Sequence, residues 1–224
     1  MSVIELQNIN KIFGNKISRV QVLKNINFSA ENDQFNLVLG PSGSGKSTFL
    51  TIAGGLQKPT SGEVDIEGQS IKDLSSKDRD TLRLNKIAFI LQSYNLLPYL
   101  TVKEQFVLVD KVKKEGNLNR ADLASLLNKL GIAELQDKYP GELSGGQNQR
   151  AAIARALYTD PSIILADEPT ASLDSKNVKE VGSLFKSLAK EQHKSIVVVT
   201  HDLRLVDFAD KIYEILDGKM KLKE

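Results

Sequence analysis

The sequence predicts an α/β fold, and three observations carry that prediction. Apolar runs at 35–39, 87–91, 162–166 and 196–199 read as buried strands, separated by segments of helical pattern. A glycine-rich loop, Gly40-Pro41-Ser42-Gly43-Ser44-Gly45-Lys46-Ser47-Thr48, joins the first of these runs to a helix. Residues 93–139 carry helical patterning alone, whereas 3–28 alternate apolar and polar in the manner of antiparallel strands. The expectation is an α/β core with an inserted all-helical subdomain and an N-terminal antiparallel β region.

With 224 residues, 41% of them hydrophobic, the chain can bury the core of one large domain. The expected organisation is one domain over 1–224, with the β region and core in 1–92 and 156–224 and the helical subdomain in 93–155. Thirty basic and 28 acidic residues nearly cancel, so no bulk electrostatic case for nucleic acid exists. The absence of cysteine excludes disulfides and thiolate metal sites and fits a reducing cytoplasm. Residues 1–5 lack the pattern of a signal peptide. The longest charge-free run, 87–102, is broken by Gln92, Asn95 and Pro98 and falls short of the roughly 20 apolar residues of a membrane span.

In chain order, 3–28 form two strands about a turn near Gly14 and Asn15. Phe13 precedes that turn, where its ring either stacks on a planar base or packs as a hairpin aromatic. In the loop 40–48, glycines permit a tight turn that gathers backbone N–H groups around an anion, at the positive end of the following helix. Lys46 supplies a mobile charge for β- and γ-phosphates, the Ser47 hydroxyl suits Mg²⁺, and Thr48 is placed to donate to an α-phosphate. Residues 63–68 read as a short strand and turn, Ser75 with Asp78 as the cap of a helix over 76–84, and 87–91 as a strand delivering Gln92 at its end. Thr101 and Glu104 have capping-box spacing, and Asn119 opens a helix over 121–130 closed by Gly131. Leu96, Leu97, Pro98, Tyr99 and Leu100 form an apolar loop that either packs inward or offers a docking surface.

Leu143-Ser144-Gly145-Gly146-Gln147 precedes a strong helix former, with capping-box spacing between Ser144 and Gln147. It is either an ordinary helix start or a second site ready for an anion. The strand over 162–166 ends in Asp167 and Glu168. Two adjacent carboxylates at a buried strand end ask for a cation and a polarised water, so Asp167 suits a Mg²⁺ shell and Glu168 suits orienting or deprotonating an attacking water. Ser172, Leu173 and Asp174 cap a helix over 175–192, and 196–199 lead to Thr200, His201 and Asp202. Gln92, Glu168 and His201 thus each stand at the carboxyl end of a strand, where open α/β sheets bind ligands. The tail from 212 reads as a hairpin about Asp217 and Gly218.

The order of 40–48, Gln92, 143–147, 163–168, 172–174 and His201 resembles the ATP-binding subunit of an ABC transporter over essentially the whole chain. The resemblance implies a P-loop NTPase core of the ABC ATPase type, with ATP and Mg²⁺ as cofactors and ATP hydrolysis as the reaction. It further implies a head-to-tail homodimer on ATP binding, each nucleotide lying between the phosphate loop of one copy and 143–147 of the other. Ser144 and Gly146 would then contact the γ-phosphate across the dimer, with Gly145 and Gln147 beside them. Gln92 would sense Mg²⁺ and the membrane partner, His201 would contact the γ-phosphate, and Asp174 would help join the two sites. Phe13 matches a position where the family usually has tyrosine on adenine, keeping the ring and losing the hydroxyl. Gly54-Gly55-Leu56, 59–63 and Asn95-Leu96-Leu97-Pro98 are similar to the branch serving lipoprotein release, macrolide export and related efflux. Residues 98–100 and 104–109 look like its haem-exporting members. That branch implies a permease of four membrane helices with a large external domain, and a peripheral place on the cytoplasmic face of the cell membrane. The alternative is an ATP-dependent regulatory partner of a membrane protein, of the cell-division type, that moves no solute.

Overall fold

The computed structural model describes residues 2–15 and 18–223. Strands β1 (Ser2–Phe13), β2 (Val20–Glu31), β4 (Ser61–Ile66) and β5 (Gln69–Ser70) form an antiparallel sheet in the order β2-β1-β4-β5. The second sheet runs β10-β9-β3-β8-β7-β6, from β3 (Phe35–Leu39), β6 (Ile87–Ile90), β7 (Ile163–Asp167), β8 (Ser195–Thr200), β9 (Lys211–Leu216) and β10 (Lys219–Leu222). Five of its strands are parallel, and β10 closes one edge antiparallel to β9.

The strands of the second sheet are continuous apolar runs because both faces are covered. Val38, Leu165, Val197 and Val199 pack with Phe49, Leu50 and Ile52 of helix α1 (Lys46–Ala53), and beyond them with Ile4, Leu6 and Ile26 of the antiparallel sheet. On the other face Leu37, Ile164, Ala166, Ile196 and Val198 meet Ile153 and Leu157 of α5 (Gly145–Tyr158), and Val181 and Phe185 of α6 (Ser175–Gln192). Phe35 and Phe185 stack edge to face there, ring centres 6.0 Å apart. α1 is therefore sandwiched between the two sheets, which fixes the loop that leads into it.

Helix α2 (Ser76–Lys86) starts at the Ser75 cap, whose hydroxyl accepts from the Asp78 amide, and runs directly into β6, two residues longer than the sequence pattern suggests. Between β6 and β7 lie only helices: α3 (Val102–Val112), α4 (Arg120–Lys129) and α5, with 3-10 turns at Ala133–Leu135 and Pro140–Glu142. The Glu104 carboxylate accepts from both the amide and hydroxyl of Thr101, and Asn119 caps α4 through the amides of Ala121 and Asp122. The expected boundary between 155 and 156 falls inside α5, which is continuous through it. α5 joins the insert to the core, and the Tyr158 hydroxyl at its end donates to Asp110 of α3. The apolar loop divides: Leu96 packs against the core, Gln105 bonds both the amide and the carbonyl of Leu97, and Tyr99 is exposed.

Gly54, where α1 ends, lies against the sheet so closely that an added Cβ would sit 2.1 Å from Phe89 Cζ and 2.6 Å from Leu165 Cδ1. Gly54→Ala is therefore expected to lower the unfolding free energy by about 1–3 kcal/mol through overpacking, measured by guanidinium denaturation.

Candidate active site

Parallel register lines up the carboxyl ends of four adjacent strands. Leu39 of β3 pairs with Thr200 of β8, Val199 with Asp167 of β7, and Ala166 with Ile90 of β6. The segments leaving these strands therefore meet at one edge, which gathers the glycine loop, His201, Glu168 and Gln92. A cleft of about 420 Å³ is lined by Val22, Ser42, Gly43, Gly45, Lys46, Ser47, Thr48, Gln92, Asp167, Glu168 and His201.

The loop is built as its glycines require. Gly43 and Gly45 take φ of +80° and +104°, and a Cβ on Gly45 would stand 2.9 Å from Leu23. No side chain caps the first turn of α1, so its amides face the cleft uncapped, at the positive end of the helix. Lys46 is buried and its ammonium donates to the carbonyls of Gly40 (2.7 Å) and Pro41 (3.0 Å). Ser44 is buried too, and its amide donates to the Pro41 carbonyl.

The two carboxylates are buried together, at 8% and 7% exposure. Burial pushes the Asp167 carboxyl above the usual carboxylate range; the charge of Glu168 adds to this, while the Ser47 hydroxyl and Lys46 oppose it. Asp167 Oδ1 has no hydrogen-bond partner among the described residues. Glu168 leaves the strand with φ of 48°, a left-handed conformation that costs a non-glycine residue about 1–3 kcal/mol. Its amide still donates to Val199 O at 2.9 Å. Its Oε1 lies 2.9 Å from His201 Nδ1 and 3.8 Å from Lys46 Nζ, and its Oε2 accepts from Thr200 Oγ1 at 2.6 Å.

The donor set fits Mg²⁺. A buried carboxylate oxygen without a partner, a serine hydroxyl and a glutamine amide share one cleft, all hard oxygen donors. No cluster of three His, Asp or Glu occurs among the described residues.

Phe13 lies outside that lining, but pairs across the strands with Val20, two residues from Val22 in the cleft. The Phe13 ring is half-exposed, and an irregularity in the β1–β2 register falls at Val22, between the paired Gln21 and Leu23. Lys11 Nζ stands 5.1 Å from the ring centre.

Ser144, Gly145, Gly146, Gln147 and Asp174 do not line the cleft. Ser144 caps α5 with the expected reciprocal bonds to Gln147, while Asp174 alone caps α6, accepting from the Asn177 amide; that bond holds its carboxyl below the usual range. The two caps are neighbours, since a Cβ on Gly146 would lie 3.2 Å from Ser172 O.

Four contributors escaped the sequence pattern. Thr200 holds Glu168; Val22 lines the cleft; the Tyr94 hydroxyl lies 2.8 Å from that of Ser172; and Arg155 of α5 donates to the carbonyls of Tyr94 and Asn95. Only Thr200 carried a signal, as a polar residue closing an apolar strand beside His201.

Comparison with known proteins agrees with this geometry. A family model described as ABC transporter matches residues 23–171. The protein HrtA of Staphylococcus haemolyticus, named for hemin import, is 45% identical over 222 residues, covering 98% of this chain and 99% of that protein. MJ0796 of Methanocaldococcus jannaschii, named an ABC transporter ATP-binding protein, is 41% identical over 227 residues, covering 99% and 97%. The dimeric cassette structure of MJ0796 superposes with a TM-score of 0.91 at 38% identity, over 99% of this chain and 98% of that one. A second MJ0796 dimer, described as a post-hydrolysis state bound to ADP and Pi, gives 0.89 at 39% identity with the same coverage.

An unpaired buried carboxylate destabilises the nucleotide-free protein. Asp167→Asn is expected to raise the thermal midpoint in EDTA and to abolish the further rise produced by adding Mg-ATP, both read by differential scanning fluorimetry.

Proposed function

The chain belongs to the ABC transporter family as an ATP-binding and ATP-hydrolysing subunit, and from that membership we propose that two copies enclose two ATP molecules and drive a haem-moving membrane permease. One observation carries the dimeric part. The cleft holds the phosphate loop and both carboxylates, whereas the capped glycines of 144–147 lie outside it and exposed or half-exposed. Each copy therefore offers two half-sites, and a second copy turned head to tail makes both whole. The dimeric architecture of the similar MJ0796 cassette supports this reading.

Within each site the loop amides and Lys46 bind the β- and γ-phosphates, and Thr48 donates to the α-phosphate. Phe13 stacks on adenine. Ser47, Asp167 and Gln92 hold Mg²⁺, which supplies charge neutralisation between the phosphates. Ser144 and Gly146 approach the γ-phosphate from the partner copy, with Gly145 and Gln147 setting their backbone and Asp174 joining the two sites. Glu168 orients and deprotonates the attacking water, because its carboxylate is fixed from both oxygens and still has free lone pairs. His201 contacts the γ-phosphate and steadies Oε1.

Closure of the dimer transmits force through the loop around Gln92 to Tyr99, which is tied to α5 by Arg155 and to the Asp174 turn by Tyr94. No helix among the described residues is long enough and apolar enough to cross a membrane. The proposed partner is an integral-membrane permease of four membrane helices, on the family resemblance. The chain then sits peripherally on the cytoplasmic face. Haem as cargo is supported by relatives named for hemin import that share 44–45% identity over nearly the whole chain. Export is the proposed direction, on the resemblance of 54–56, 59–63 and 95–98 to the efflux branch and of 98–100 and 104–109 to its haem-exporting members, although those names state import.

Glu168→Gln is expected to bind Mg-ATP, to cut turnover at least about 100-fold, and to elute as a dimer in gel filtration with ATP. His201→Ala is expected to slow turnover with little change in ATP affinity. Co-purification from detergent-extracted membranes identifies the permease. Inside-out vesicles carrying both chains should then accumulate hemin when ATP is added. Loss of preloaded hemin would reverse the direction, and no movement would favour a regulatory partner that transports nothing.

A further inference from the structure

Glu168 follows the last residue of β7 in a left-handed conformation, and a carboxylate on a flexible stem there has several rotamers open to it. Something must select one. Oε2 accepts from Thr200 Oγ1 at 2.6 Å, the shortest of the contacts to this carboxylate, and from the His201 amide only at 3.4 Å. Thr200 is fully buried at the carboxyl end of β8, held by its parallel register with Leu39 on one side. Its hydroxyl has a single proton, spent on Glu168, while its oxygen accepts from the Asp202 amide at 3.0 Å.

That second bond fixes the hydroxyl rotor. Asp202 is itself anchored: its carboxylate accepts from Thr170 Oγ1 at 2.8 Å and from both Nε and Nη2 of Arg204 at 2.8 Å. These bonds outweigh burial, which acts the other way, and keep the Asp202 carboxyl below its ordinary range. Thr170 stands two residues beyond Glu168, so the chain of bonds closes a ring through 168–170 and 200–202.

We infer that Thr200 is a positioning residue for ATP hydrolysis: its hydroxyl, locked by the Asp202 amide, selects the Glu168 rotamer that leaves Oε1 facing the cleft. Thr200 is itself fully buried and does not line the cleft. The inference rests on the reading of Glu168 as the group that activates water.

The test is steady-state ATPase kinetics and ATP affinity for Thr200→Val, Thr200→Ser, Glu168→Gln and the double variant Thr200→Val/Glu168→Gln. Thr200→Val keeps shape and removes the hydrogen bond, so kcat should fall about tenfold or more while ATP affinity stays within about twofold. Thr200→Ser restores the donor and should return kcat to within about threefold of the parent. In the Glu168→Gln background, Thr200→Val should change the residual rate by less than about twofold, since the group it positions is gone. If Thr200→Val does not fold, Thr200→Ala takes its place with the same expectations. Parental kcat in the valine variant, failure of serine to rescue, or an undiminished effect in the Glu168→Gln background would each overturn the inference. Parental turnover in Glu168→Gln itself would instead overturn the underlying reading.

Discussion

The structure depends on keeping three charged groups buried side by side. Lys46, Asp167 and Glu168 are each less than 9% exposed, and a carboxylate taken out of water is costly unless paired or hydrogen-bonded. Lys46 lies 3.8 Å from Glu168, Thr200 and His201 bond the same carboxylate, and Asp167 keeps one oxygen unpartnered. Under the proposed function that oxygen would take Mg²⁺ as its partner. On that reading, stability withheld at Asp167 would become affinity for the ion with its phosphates.

The two sheets and α1 exist in this light to hold that cluster still. Parallel pairing sets the carboxyl ends of β3, β8, β7 and β6 in one row, and alternation along each strand seals both faces with apolar side chains. The polar groups are left only at the row's end. α1, pinned between the sheets, cannot shift its N-terminus away from that row without opening the core around Phe49 and Leu50.

The helical insert obeys a different constraint. Its glycine-rich cap at Ser144 stands outside the cleft, tied to the core by α5 and by contacts among Tyr94, Arg155 and Ser172. α5 itself buries Ile153 and Leu157 against the second sheet, whereas the contacts of Tyr94 with Ser172 and Arg155 are hydrogen bonds across loops. Under the proposed function they are the parts that shift when a second copy closes, carrying movement between the Gln92 loop and the nucleotide.

Much of this was legible in the chain itself. The loop 40–48, the strands ending in Asp167, Glu168 and His201, and the caps at Ser75, Thr101, Asn119 and Ser144 are local, because strand periodicity, glycine freedom and capping geometry act within a few residues. Tertiary structure decided what depends on register and reach. That Thr200 bonds Glu168, 32 residues away, follows from the pairing of β7 with β8, which no local pattern encodes. That Val22 lines the cleft while Ser144 does not follows from how the sheets pack, and the division of 96–100 into one partly buried leucine packed on the core and one exposed tyrosine follows from where Gln105 anchors the loop. The sequence determined which groups are available for chemistry, since those are properties of side chains and short turns. Only the folded chain decided which of them meet, since meeting is a property of long-range packing.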